Sequence, residues 1–167
     1  MDFEQADAIN RAIRLITLKH RALAGAHLAE LGLHTGQEVL LMELDAHGPR
    51  TQVRLAAGLG VEPPSVTLMA KKLEEAGLIA RRRSSSDPRA IVVELTDEGR
   101  ALIPQLRVVW RRLAEETVAG LEKTSAERLQ DVLKDLARSL YPSGAPSSLD
   151  PIPQERTRAD AIDGRLS

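Results

Sequence analysis

Cysteine is absent from this 167-residue chain. That excludes disulfides, thiolate nucleophiles, thiol redox sensing and cysteine-ligated zinc together. Aromatic residues are scarce, at 2% of the total. Platforms for single strands, which need exposed rings for base stacking, are therefore not expected, and the core must be aliphatic. No apolar run approaches the ~18 residues that read as a membrane span. The opening MDFEQADAINR carries acids early and no apolar signal core, so no leader is expected and a cytoplasmic location is. Neither sign of charge dominates, with 23 Lys and Arg against 24 Asp and Glu for a net −1. Global charge thus predicts no nucleic-acid partner, and any such case must rest on local patterning.

The apolar residues that are present fall at helical spacing. Ala6, Ile9, Ile13, Ile16, His20, Leu23 and His27 recur at steps of three and four, which predicts one long helix over 3–31 with a face suited to a helix–helix seam. Gly32 stands where a left-handed cap is expected. Thr35-Gly36-Gln37-Glu38 has the form of a capping box, opening a helix to about Ala46 that His47-Gly48-Pro49 stops. Thr51 can cap a short helix through Leu59. Gly60 then makes a turn, and Pro63 and Pro64 suit the first turn of a further helix, where no N–H is needed. Val66, Met69, Ala70 and Leu73 point that helix inward, and it ends at Gly77. Two short helices about a tight glycine-containing turn form a helix-turn-helix candidate.

The period then changes. Residues 79–83 and 90–95 are short enough for strands, and 84–89 between them are rich in turn formers, so a two-stranded hairpin is expected with Ile91, Val93 and Leu95 on the helices. Thr96 caps a helix to about Leu121, with Leu102, Leu106, Val109, Leu113 and Ala114 as its stripe, Trp110 as a core residue and Pro104 as a bend. Thr124-Ser125-Ala126-Glu127 has the form of a second capping box. It opens a last helix with Leu129, Val132, Leu133, Leu136 and Leu140 at helical spacing. From Pro142 onward, Pro, Ser, Gly and Asp dominate, so 142–167 reads as a tail without its own core.

A helix-turn-helix followed by a charged hairpin is a winged helix. The stretch RRRSSSDPRAIVVELTDEG, residues 81–99, concentrates arginine beside small flexible residues. Duplex DNA rewards such cations with its dense phosphates, and narrow minor grooves attract arginine. Between Pro63 and Leu95, six basic residues meet four acids, a local balance of +2.

The stretch SVTLMAKKLEEAGLIARRRSSSDPRAIVVELTDEGRAL resembles the MarR family of bacterial regulators. The resemblance covers about residues 5–140 and rests on LEEAGLI, on Asp87 and Arg89 as a D-x-R, and on LT-x-x-G at 95–99. It implies a homodimeric winged-helix regulator that binds double-stranded DNA at a near-palindromic site, often a repressor released by a small-molecule effector. The implied fold is mainly α with a small β-hairpin. Its divisions would be an N-terminal dimerisation helix over 1–34, the DNA-binding domain over 35–97, C-terminal dimerisation helices over 98–141 and the tail. The match also implies roles for single residues. Ser65 and Thr67 fall where the recognition helix meets DNA, and Lys71 lies one turn beyond, within reach of a phosphate. Arg89 matches a minor-groove arginine, with Asp87 bracing its guanidinium by two hydrogen bonds. Arg81 and Arg83 share one side of a strand, Arg82 the other. Pro63 and Pro64 replace polar residues of relatives, which predicts fewer side-chain contacts there, and Pro88 would stiffen the tip.

Other readings compete. Lys71-Lys72 could simply solvate a surface, and Ser65 and Thr67 could be ordinary helix-start residues. His20 and His27 are seven residues apart on one stripe, about 10.5 Å along the axis. No compact His-x-x-x-His pair exists, so a seam or a polar contact to an effector is favoured over a metal, and no cofactor is expected. A metal-dependent regulator using His34 and His47 as well, or a protein-interaction module on the same fold, are the alternatives. No phosphate loop or nucleophile–base spacing supports an enzyme; GLGVEPP lacks the Gly-Lys-Ser/Thr ending.

Overall fold

A computed structural model describes residues 1–85, 87, 89–141 and 146. The tail expected over 142–167, apart from Pro146, lies outside the described residues, as does Pro88. In chain order the elements are α1 (Phe3–Ala29), α2 (Gln37–His47), β1 (Arg50–Thr51), α3 (Gln52–Leu59), α4 (Pro63–Glu75), β2 (Ile79–Arg83), β3 (Ile91–Leu95), α5 (Asp97–Val118) and α6 (Ala126–Ser139).

Local chemistry sets most helix ends. Asp2 accepts the Gln5 amide at 2.8 Å and opens α1. Gly32, at φ 69°, lets the Leu33 amide return to the Leu28 carbonyl at 3.0 Å and closes it. The box expected at Thr35 does not form. Gly36, at φ 100°, is the N-cap of α2, Gln37 accepts the His34 amide at 2.8 Å, and Glu38 accepts the Gly36 amide at 2.6 Å. Two long side chains fold back where a threonine was expected to cap. Thr51, Thr96 and Ser125 cap α3, α5 and α6. In the last case the cap is Ser125, one residue later than the Thr124 box implied.

The core lies around α2, whose Leu40, Leu41, Met42 and Leu44 are all buried. The helix is enclosed by α3, α4, α5 and β3. α1 joins this core only near its C-terminal end, through Ala24, His27 and Leu28; Ile9, Ile13 and Ile16 remain exposed. α5 contributes Ile103, Leu106, Val109 and Leu113. Ala114, expected in its inner stripe, is exposed and faces α6 instead. α6 buries nothing.

The sheet differs from the expected two-stranded hairpin. It has three antiparallel strands in the order β1-β3-β2, with Arg50 opposite Val93 and Thr51 opposite Val92. β1 is two residues long and carries no apolar run, so period alone could not reveal it. It pairs because β3 would otherwise offer an open edge. On the other side of β3, Ile79 faces Leu95, Arg81 faces Val93 and Arg83 faces Ile91. Facing residues share a side of the sheet, so Arg81 and Arg83 extend from the buried face of Ile79, Val93 and Leu95, while Arg82 lies on the outer one.

The LT-x-x-G segment knots α4, β2 and α5 together. Thr96 donates its hydroxyl to the Gly77 carbonyl at 2.7 Å and accepts the Gly99 amide at 3.0 Å; its own amide reaches the Leu78 carbonyl at 3.1 Å. A Cβ on Gly99 would stand 2.0 Å from the Leu78 carbonyl oxygen. Backbone cannot yield there as a side-chain end could. Gly99→Ala is expected to cost about 1–3 kcal/mol of stability, read as a lowered urea midpoint with the slope unchanged; an unchanged midpoint would refute the close approach.

Candidate nucleic-acid interface

The helix-turn-helix is assembled from backbone rules. Gly60, at φ 65°, ends α3, and the Val61 amide returns to the Ala56 carbonyl at 3.0 Å. Pro63 and Pro64 occupy the first turn of α4, where two amides would have no partner. Val66, Ala70 and Leu73 are fully buried and Met69 packs beside them. The opposite side of α4 therefore faces outward, carrying Ser65, Thr67, Leu68, Lys71 and Lys72, all exposed.

The hairpin is fastened to one flank of that surface. Glu74 accepts the Arg81 amide at 3.2 Å and its Nε at 2.8 Å, and a second guanidinium nitrogen of Arg81 closes on the same carboxylate. This holds the Glu74 carboxyl below its ordinary value, the Arg81 hydrogen bond being the largest cause. Glu74 lies three residues beyond Lys71 and seven beyond Thr67, on their side of the helix. The wing thus stands beside the Thr67–Lys71 edge of α4. Arg81, expected to meet DNA, is instead a strut between wing and helix, because its position opposite Val93 turns it inward.

The other charges sort by position. Arg82 pairs with Glu94 at 3.4 Å on the outer face. Lys71 approaches Glu75 at 3.8 Å, with both side chains more than half exposed, a contact worth little in water. Lys72, Arg83 and Arg89 are exposed and have no ion-pair partner among the described residues. Asp87 does not hold the Arg89 guanidinium as expected. Its Oδ1 accepts the Arg89 backbone amide at 2.9 Å, while the Ala90 amide reaches the Asp87 carbonyl and the Ser84 amide the Ala90 carbonyl, each at 2.9 Å. Asp87 shapes the tip through the main chain, as short acidic side chains do in turns, and leaves the arginine head without an ion-pair partner among the described residues. Thr67 donates its hydroxyl to the Pro63 carbonyl at 3.1 Å, keeping its oxygen lone pairs for an incoming donor.

The two histidines separate. His20 lines an open recess of ≈ 400 Å³ between α1, the α1–α2 connection and α5, with Ile16, Arg21, Glu38 and Trp110. Glu38 is buried, and burial pushes its carboxyl up from the ordinary value. His27 is not available to a ligand. It is buried, its Nε2 lies 3.0 Å from Glu116, and Nδ1 faces Arg112, which also binds Glu30 at 2.6 Å. The ring ties α1 to α5. His47 packs against Glu43 at 3.2 Å. Among the described residues no three of His, Asp and Glu gather to hold a metal. Trp110, expected as core, packs on it while lining the recess. Sequence reasoning missed Glu38 as a pocket group, having assigned it to a cap, and missed Leu68. The signal for Leu68 was its phase, two positions from both Val66 and Ala70.

A helix-turn-helix with a hairpin fastened beside its second helix is a winged helix. Solved structures agree over most of the chain. A mutant of MarR from E. coli complexed with operator DNA matches with a TM-score of 0.71 at 25% identity, covering 81% of this chain and 99% of that one. A MarR transcriptional regulator from Methanosarcina mazei Go1 matches at 0.74 and 20%, over 83% and 99%. BpsR of Bordetella bronchiseptica, whose DNA binding is regulated by 6-hydroxynicotinic acid, matches at 0.70 and 21%, over 77% and 98%. The MarR family model matches residues 33–91.

The Glu74–Arg81 clamp has a pH signature. The folded carboxyl titrates below its ordinary 4.5, so its contribution is present above that value and fades as pH falls through the folded one. Glu74→Gln is expected to show a shallower loss of stability than the parent in acid titration below pH 4.5. Parallel curves would remove the clamp.

Proposed function

We propose that this protein is a homodimeric, sequence-specific regulator of transcription that binds double-stranded DNA, represses, and releases when a small molecule binds. The carrying observation is the side-by-side position of the outward face of α4 and the wing strand β2, joined through Glu74 and Arg81. Ser65, Thr67 and Lys71 would meet base edges and phosphates in a major groove. Arg83 and Arg89 would follow the backbone into the neighbouring minor groove, with Asp87 setting the shape of the tip. Arg81 acts by holding the wing in place.

Dimerisation is supported by apolar surface that one chain leaves uncovered. Ile9, Ile13 and Ile16 on α1, Val132, Leu133 and Leu136 on α6, and Leu140 at its C-cap are exposed. Isolated exposed leucines are ordinary, but an unburied stripe along a whole helix is not. Two copies joined through residues 1–34 and 98–141 would present two 35–97 domains to half-sites about 10 bp apart, centre to centre. The ≈ 400 Å³ recess offers an effector apolar surface at Ile16, Ala24 and Trp110 beside several polar groups. It borders α1, α2 and α5, so its filling would move the reading domain against the dimer arm. His20, Arg21 and Glu38 would orient the ligand. Nothing in the site supports enzymatic chemistry, and the cytoplasm is the compartment this function needs.

Gel shifts with duplexes selected from random pools test the reading; no retarded complex at low salt refutes it. Within that assay, Arg89→Ala is expected to weaken binding by about ten-fold or more and to lower the salt dependence, with thermal stability unchanged. Equal affinity of variant and parent would exclude the arginine from the interface. Leu133→Asp is expected to sediment as a monomer at micromolar concentration and to lose operator binding; a variant that stays dimeric would move the seam away from α6.

A further inference from the structure

Leu68 lies on the outward side of α4 and is 57% exposed. It stands two residues from Val66 and two from Ala70, both fully buried. At 3.6 residues per turn this puts it more than half a turn from each, in the middle of the solvent face. Thr67 and Lys71 flank it on one side, Ser65 and Lys72 on the other. It is in the second turn of the helix, after Pro63 and Pro64, which offer no amide donors. The first side chain on the central line of α4 that projects any distance is therefore aliphatic.

We propose that Leu68 is a specificity-determining residue that reads the C5-methyl of a thymine in the major groove. This rests on the DNA-binding reading above. The chemistry of the groove leaves one apolar feature for such a side chain. Guanine shows N7 and O6 acceptors, cytosine an amino donor, adenine an acceptor and a donor; the thymine methyl alone is apolar. Leucine has no donor or acceptor to offer. Set against a G·C edge it would strip water from groups it cannot satisfy, and the site would be rejected. Set against thymine it covers a methyl and loses nothing. The flanking Ser65, Thr67, Lys71 and Lys72 supply the phosphate and base-edge contacts that hold the helix in register, so Leu68 is free to discriminate.

The test uses the full-length protein on its own selected duplex. Each thymine is replaced in turn by deoxyuridine, which deletes the methyl and leaves every hydrogen-bonding edge intact. Parent protein is expected to lose about four-fold in affinity per half-site at one symmetric position, the effect of one buried methyl. Leu68→Ala is expected to be indifferent at that position while remaining as sensitive as the parent to salt. Leu68 is not part of the buried core cluster, and an unchanged melting temperature verifies that the substitution leaves the fold intact. If the parent binds its selected site but no uracil replacement separates it from Leu68→Ala, the proposal fails and the DNA-binding reading stands. If the parent selects no duplex at all, both fail.

Discussion

One carboxylate holds the outward face of α4 and the hairpin in a fixed relation. Glu74 ends the outward flank of α4, and Arg81 begins the wing; their amide and guanidinium contacts join a helix to a sheet that share no continuous secondary structure. The groove-reading role proposed for this surface needs that constraint because a double helix is stiff. A recognition helix and a wing that moved independently would each pay an ordering cost on binding. Fixed together, they present one shape. The partly exposed clamp is a modest contributor to stability and a strong one to geometry.

The clamp in turn depends on the register of β2 against β3. Arg81 reaches Glu74 only because it faces Val93, and Val93 is buried against the α2 core. A slip by one residue would turn Arg82 inward and Arg81 to solvent. Register is secured at the far end by Thr96, whose three hydrogen bonds gather Gly77, Leu78 and Gly99 at one point. The apolar interior and the polar knot therefore serve the same end, the orientation of a guanidinium and of the tip beyond it.

A second constraint runs between α1 and α5. His27 sits between Glu116 and Arg112, and Arg112 continues to Glu30. A buried polar group without partners would be costly, whereas a connected set fixes one arrangement of the helices. The recess next to it opens toward Glu38 and Trp110. Ligand space and helix-fixing network thus share α1 and α5, so occupation of the first would act on the geometry held by the second.

Much was legible in the chain itself. Helical phase gave α1, α4, α5 and α6, the glycine at 60 gave the turn, and the run from LEEAGLI to LTDEG carried the family resemblance. Those features are local: spacing, caps and turn residues act within a few positions. Partner choice among like residues was not legible. Three consecutive arginines look equivalent in the sequence, yet one is clamped by Glu74, one meets Glu94 and one has no ion-pair partner among the described residues, because strand alternation and the neighbours across the sheet separate them. β1 exists only through β3, Glu38 became a pocket wall once α1 and α5 closed over it, and His27 was taken by residues 85 and 89 positions away. The sequence by itself determined which segments coil, bend and turn. Tertiary contact alone decided which charges are spent inside the protein and which stay exposed, since that depends on groups far apart in the chain meeting within hydrogen-bond distance.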